Sequence, residues 1–153
     1  MTEETVVHYR VSCVIPASAE LVFAVLADPT RHRDFDGSGA VRDSIDTAPL
    51  TAEGQTFEMN MYNERVGDYV VRNHVRALKP NEEISWLPSS GGRPAAGHWW
   101  GYDVTAIDDN SCEVGLNYDW ADVTDPRMMA FFPRSNQDQM QESLTQLQAL
   151  FAS

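Results

Sequence analysis

The strongest constraint on the fold is a repeated strand pattern between residues 40 and 120. Apolar and polar residues alternate there in six short runs, which is typical of half-buried β-strands. The connections, such as Lys79-Pro80-Asn81, carry turn residues and are too short for crossover helices. Consecutive strands are therefore expected to pair antiparallel. The predicted strands span residues 40–45, 55–62, 69–78, 83–87, 99–107 and 112–120.

A first strand and two short helices precede this region. Residues 7–15 alternate between an apolar and a polar face, and Pro16 ends the strand because proline cannot donate to a ladder. A helix over residues 19–27 follows, with apolar residues at helical spacing. Asp28-Pro29 then starts a second short helix that runs through Arg33.

The C-terminal region predicts a long amphipathic helix from about Ser135. Pro126 and Pro133 bracket an irregular or short helical piece before it. A helix with one apolar stripe must bury it, and the sheet is the only large partner available. We therefore predict one α+β domain over residues 1–153, with a curved seven-stranded antiparallel sheet packed on this helix. The predicted stripe comprises Met140, Leu144, Leu147, Leu150 and Phe151.

Composition excludes several classes of protein. The net charge is −12, from 23 acidic and 11 basic residues, which disfavours nucleic acid and stable membrane association. No run approaches the roughly 18 apolar residues of a membrane span. The start MTEETVV lacks the basic and apolar regions of a signal peptide, so we expect a cytoplasmic protein, monomeric or homodimeric.

The sequence predicts neither a metal nor a cofactor. Cys13 and Cys112 lie in alternating apolar runs, which favours buried small hydrophobic residues over a redox pair. No Cys/His cluster has the spacing of a zinc site. A glycine-rich phosphate loop and a nucleophile–histidine–acid series are also missing from the sequence.

The order of elements, together with local strings, resembles the START-like (SRPBCC) superfamily. This superfamily includes the major birch-pollen allergen, lipid-transfer START domains and polyketide cyclase/dehydrase-like proteins, and the last branch is the most similar. The resemblance implies a helix-grip fold whose cavity takes an apolar or amphipathic small molecule. It transfers no catalytic set, because the superfamily has no common one. The matching strings are Ile15-Pro16-Ala17, Leu26-Ala27-Asp28-Pro29, Asp36-Gly37-Ser38-Gly39, Ile84-Ser85-Trp86, Trp100-Gly101-Tyr102-Asp103-Val104, Tyr118-Asp119-Trp120 and Phe132-Pro133.

Strand parity predicts which side chains face such a cavity, since residues two apart share a face. The polar Asn73 and the hydroxyls of Tyr102 and Tyr118 fall within apolar sets, where a ligand could satisfy them. Leu26 and Phe35 are expected to close one end. The alternative is that all these residues only fill the core. The predicted ligand-binding residues are Phe57, Met59, Met61, Val71, Asn73, Trp86, Trp100, Tyr102, Tyr118, Trp120, Met140 and Leu144.

Few residues are candidates for chemistry. His98 precedes the sixth predicted strand and is the best general-base candidate, with Tyr102 and Asn73 as groups that polarise a carbonyl. Arg65, in a hairpin turn, either meets an anionic head group at a cavity entrance or is a plain surface arginine. Asp36 is expected to order its turn. By parity, the side chains of His8, His74 and Asp119 point outward.

Three functions remain open. The first is a binding protein for an apolar small molecule such as a lipid, polyketide or aromatic metabolite. The second is a polyketide cyclase, aromatase or dehydratase. The third is a protein-interaction module resembling START-like chaperone activators, for which residues 128–132 provide the apolar patch unless they tuck under the last helix.

Overall fold

A single antiparallel sheet organises the computed structural model, which describes residues 6–90 and 92–152. Its strand order is β1-β7-β6-β5-β4-β3-β2, so the first and last strands are neighbours. The predicted α+β class is confirmed. The strands are β1 (His8–Ile15), β2 (Val41–Ser44), β3 (Thr56–Asn63), β4 (Gly67–Lys79), β5 (Glu83–Ser90), β6 (Trp99–Asp108) and β7 (Ser111–Asp119), and the helices are α1 (Ala19–Leu26), a 3₁₀ helix (Pro29–Phe35), α2 (Pro126–Met129) and α3 (Gln137–Leu150).

The sheet is incompletely paired between β5 and β6. Their ladder has only four residue pairs, from Glu83 opposite Asp103 to Trp86 opposite Trp100. β5 nevertheless continues beside β4 as far as Ser90, three residues past its predicted end. Pro88 in this extension has no N–H to donate. The last four residues of β5 therefore pair with β4 on one side and have no paired strand on the β6 side.

The two helices after β1 form at local capping signals. The Ser18 hydroxyl accepts a hydrogen bond from the Leu21 N–H at 3.2 Å, and the Asp28 carboxylate accepts one from the Thr30 N–H at 3.0 Å. The second helix is a 3₁₀ helix and extends two residues beyond the predicted end at Arg33. Leu21 does not belong to the buried face of α1, since its side chain is 61% exposed.

Helix α3 packs mainly against β1 and the 3₁₀ helix, and less against β7. It begins two residues after the predicted start, because Asn136 serves as its N-cap by accepting from the Gln139 N–H at 2.8 Å. Met140, Leu144 and Leu147 are buried as predicted. Leu150 is 37% exposed, since the last turn extends past the part of the helix that is covered.

A turn at Gly37 holds α3 in place. The Gly37 N–H donates to the Ser143 hydroxyl at 2.8 Å. A Cβ on Gly37 would overlap the backbone of Gln139 and Ser143. The turn and the helix therefore touch backbone to backbone, which only glycine permits.

Gly37→Ala is expected to destabilise the protein by about 2 kcal/mol, because the added methyl forces the turn and α3 apart. The measurement is urea unfolding followed by circular dichroism. Gly39→Ala is the matched control: a Cβ there has open space, and only its positive φ of 74° opposes it, which costs about 1 kcal/mol. A smaller loss of unfolding free energy in Gly37→Ala than in Gly39→Ala would contradict a tight backbone contact between the Gly37 turn and α3.

Candidate functional site

A pocket of about 400 Å³ lies between the concave face of the sheet, the 3₁₀ helix and the first half of α3. This volume lies in the range of small-molecule sites. Because α3 packs toward β1, it forms one wall of the pocket and leaves β3 to β6 to form the floor. The aromatic and apolar part of the lining comprises Phe35, Val41, Met59, Met61, Tyr69, Val71, Trp86, Trp100, Tyr102, Leu116 and Met140.

The structure places eight of the twelve predicted ligand-binding residues on the pocket wall. The other four, Phe57, Tyr118, Trp120 and Leu144, lie in the core. Of the two residues expected to close one end, Phe35 is on the wall and Leu26 is fully buried away from it. The eight wall residues are Met59, Met61, Val71, Asn73, Trp86, Trp100, Tyr102 and Met140.

Aromatic neighbours explain two of the exclusions. The Tyr118 ring stacks on Trp100 with centroids 3.9 Å apart and planes 2° apart, so Trp100 covers it on the pocket side. Trp120 is packed edge-on against Tyr9 at 4.9 Å, toward β1. Parity gives the face of each residue, but Trp100 covers Tyr118 and Trp120 packs toward β1 instead of the pocket.

Two neutral polar groups reach into the apolar floor. Asn73 and Tyr102 are each 6% exposed, and both line the pocket. Within the described residues neither side chain has a hydrogen-bond partner. Burial, together with the charge of Asp36, raises the pKa of the Tyr102 phenol well above its usual range. Its hydroxyl therefore stays protonated and is a hydrogen-bond donor at neutral pH.

Asp36 orders its turn, as predicted, and also lies on the pocket wall. One carboxylate oxygen accepts from the Ser38 N–H at 3.0 Å and from its hydroxyl at 2.7 Å. The other oxygen accepts from the Val41 N–H at 2.7 Å. Three donors thus hold a negative charge at this part of the wall.

His98 lies on the wall beside Phe132 and Arg134. Its ring centroid is 4.7 Å from that of Phe132. Burial, and secondarily the positive charge of Arg134, lowers the pKa of His98 from 6.5 to about 4. The buried Nδ1 has no hydrogen-bond partner in the described part of the chain. His98 is therefore a neutral imidazole at physiological pH.

Sequence reasoning missed several wall residues, among them His32 and Arg134. His32 is 7% exposed, stacks on Trp86 at 5.2 Å, and donates from Nε2 to the Leu26 carbonyl at 2.8 Å. Burial lowers its pKa. The predicted helix ended at Arg33, and only its extension to Phe35 places His32 one turn before that ring. No periodic signal marks Arg134, which lies in an irregular segment.

The outward-facing predictions are confirmed for His8 and Asp119, whose side chains bond to each other at 2.8 Å on the outer face of the sheet. His74, also on β4's outer side, lies within 3.2 Å of the Ser89 hydroxyl. Arg65 is exposed in the β3–β4 turn and is not among the residues that line the pocket.

The apolar segment 128–132 divides into two parts. Met128 and Phe132 pack against the core, whereas Met129 and Phe131 are 54% and 53% exposed. The segment is therefore only partly covered. Across the described residues, no three His, Cys, Asp or Glu side chains are grouped to hold a metal ion, and none of the helices has the length and apolar character to cross a membrane.

The family model described as "Activator of Hsp90 ATPase homolog 1-like protein" matches residues 16–152. The chain belongs to this family. An uncharacterized protein from Mycobacterium tuberculosis, Rv0088, is 32% identical over 109 residues, covering 71% of this chain and 46% of that protein. The chain thus spans about half the length of the curated relatives it matches.

Solved structures confirm the START-like fold. A START superfamily protein from Mycobacterium smegmatis has a TM-score of 0.64 at 11% identity and covers 95% of this chain and 97% of its own. The di-domain ARO/CYC BexL, from the BE-7585A biosynthetic pathway, has a TM-score of 0.66 at 14% identity, covering 93% of this chain and 45% of its own. At these identities the likeness concerns the fold alone.

The depressed pKa of His98 makes folding stability depend on pH. Between pH 6.5 and about 4, the unfolded chain binds a proton at this residue and the folded chain does not, so stability falls as pH falls through that range. From pH 7 to pH 5.5 this single group should lower the free energy of unfolding by about 1 kcal/mol. The loss of unfolding free energy over the same range, measured by urea unfolding, should be smaller by that amount in His98→Gln. Equal losses in both proteins, or an imidazole that NMR finds protonated at pH 5.5, would contradict the assignment.

Proposed function

We propose that the protein binds an apolar or amphipathic small molecule, such as a lipid, a polyketide or an aromatic metabolite, in the pocket between the sheet and α3. The observation that carries this proposal is the pairing of an apolar wall with polar groups that have no hydrogen-bond partner among the described residues: the side chains of Asn73 and Tyr102, and the buried Nδ1 of His98. Buried polar groups are nearly always hydrogen-bonded. A bound ligand is the partner that such an arrangement fits.

The lining also contains side chains that can adapt to the shape of a bound apolar molecule. Met59, Met61 and Met140 contribute flexible thioethers, while Trp86 and Trp100 contribute flat apolar surfaces. Membership of the matched family and the START-like fold agree with a ligand-binding domain.

Filling the pocket should abolish binding. Val71 lies on the wall and is 9% exposed, whereas its neighbour Val70 points outward and is 39% exposed. Val71→Trp should therefore remove the thermal stabilisation produced by a library of small lipids and aromatic acids and esters, and Val70→Trp should retain it. In the unmodified protein, a ligand at 100 times its Kd stabilises the fold by about 3 kcal/mol.

Circular dichroism checks that Val71→Trp remains folded. If it does not, Met61→Trp repeats the test, because Met61 is on the wall but only half-buried. Ligand binding that survives both replacements, or a library in which no compound stabilises the unmodified protein, would contradict the proposal.

A second candidate is a cyclase, aromatase or dehydratase. The same polar groups favour it, because a protonated Tyr102 hydroxyl and an Asn73 amide in an apolar pocket can polarise a ligand carbonyl, and the neutral His98 can accept a proton. The fold-level likeness to an ARO/CYC protein agrees with this candidate. Catalysis of this kind depends mainly on holding a flexible chain in one conformation.

Single replacements separate catalysis from binding. Tyr102→Phe, Asn73→Leu and His98→Gln should each lower turnover of a poly-β-ketone thioester, measured by product formation, if the pocket is catalytic; removal of one positioned donor lowers rates by about 100-fold or more. Val70→Trp is the control on the outer face. If the unmodified protein binds the substrate and converts none of it, the enzyme candidate is wrong and the binding proposal stands.

The family description favours a third candidate, in which the exposed Met129 and Phe131 contact an Hsp90-type ATPase. Stimulation of such an ATPase by the purified protein, lost in the double variant Met129→Ser/Phe131→Ser, would support it. No stimulation would argue against this role. The pocket-filling Val71→Trp variant should leave any stimulation unchanged.

A further inference from the structure

One positive charge marks the opening of the pocket. Arg134 is exposed, and it is the one lysine or arginine among the described residues that line the pocket. Its backbone N–H donates to the Tyr118 hydroxyl at 3.1 Å, and the Tyr118 ring stacks on Trp100. The aromatic wall therefore fixes where Arg134 sits.

The Arg134 guanidinium has no acidic partner within the described residues. Its Cζ lies 4.8 Å from the Phe132 ring centroid, the position of a cation–π contact. Five of the chain's ten arginines form ion pairs with aspartate or glutamate: Arg10, Arg31, Arg33, Arg72 and Arg127. Arg134 is not among them, and it differs from the other arginines of the described chain in lining the pocket.

The start of α3 adds positive potential at the same end. A helix N-terminus carries a partial positive charge, and two residues beside it, Ser135 and Gln139, line the pocket. Asp138 in the same turn is exposed and does not belong to the wall. His98 nearby is uncharged at neutral pH, so it neither adds to nor cancels this potential.

Negative charge is confined to another part of the wall. Asp36 is the one carboxylate among the described lining residues. The charge of Asp36 raises the pKa of Tyr102, whereas the charge of Arg134 lowers the pKa of His98. An anionic group is therefore repelled from the Tyr102 end and attracted to the Arg134 end, which gives an amphipathic ligand one preferred orientation.

We infer that the pocket takes a monocarboxylic acid with an apolar body, whose carboxylate pairs with Arg134. This inference rests on the proposed binding function. One guanidinium matches one carboxylate through two parallel hydrogen bonds. A phosphate dianion would find no second cation on the described wall. The apolar body then lies along Trp100, Trp86 and Met59, with its far end toward Asn73 and Tyr102.

The test compares acids with their own methyl esters. The probes are 2-naphthoic acid and methyl 2-naphthoate, and octanoic acid and methyl octanoate, titrated by calorimetry at neutral pH. The acids should bind about tenfold more tightly than the esters, the ratio expected for one bidentate guanidinium–carboxylate pair at an exposed position. Arg134→Gln should remove this preference and leave ester binding unchanged, and Arg134→Lys should restore part of it.

Arg65→Gln is the matched control, because Arg65 is an exposed arginine that does not line the pocket. It should leave the acid preference intact. High salt should weaken the binding of the acids and leave the binding of the esters unchanged. Equal affinity for acid and ester in the unmodified protein, equal weakening of both by Arg134→Gln, or loss of the preference in Arg65→Gln would each overturn the inference and leave the binding proposal intact. If neither acids nor esters bind, the proposed function itself fails.

Discussion

The distance between α3 and the sheet determines whether this fold contains a pocket at all. A backbone contact sets that distance: Gly37 meets the second turn of the helix without a side chain, and its N–H bonds to Ser143. The helix is also tied to the far edge of the sheet, where the Gln148 amide donates to the Val14 carbonyl at 2.7 Å. Held at these points, α3 covers β1 and leaves the concave face of the middle strands open.

Much of this architecture follows from the order of short patterns in the sequence. Alternation placed every strand to within a few residues, because one-sided burial imposes a period of two. The extension of β5 to Ser90 escaped prediction, since serines and Pro88 carry no strand signal and only pairing with β4 reveals it. The exposure of Leu150 likewise depends on where the sheet ends, which no helical pattern encodes.

The candidate site is harder to predict from the sequence than the fold is, for a physical reason. Parity assigns a residue to a face of the sheet, but it does not give the depth at which that residue lies. Trp100 and Tyr118 share a face and are stacked, so only the outer ring of the pair meets the pocket. Arg134 is a different case, because it follows Phe132-Pro133 in a segment without regular structure. Tertiary packing alone brings it beside His98.

The pocket wall and the exposed apolar segment meet at two consecutive residues. Phe132 contacts His98 on the pocket wall and carries the Arg134 guanidinium over its ring, while the adjacent Phe131 is exposed to solvent. Two neighbouring rings thus serve different surfaces: Phe132 packs against His98 and the core, and Phe131 faces solvent. A periodic pattern cannot assign these faces, because the chain has no regular structure between α2 and α3. Only the packing of Phe132 against the pocket wall determines which of the two rings is left exposed.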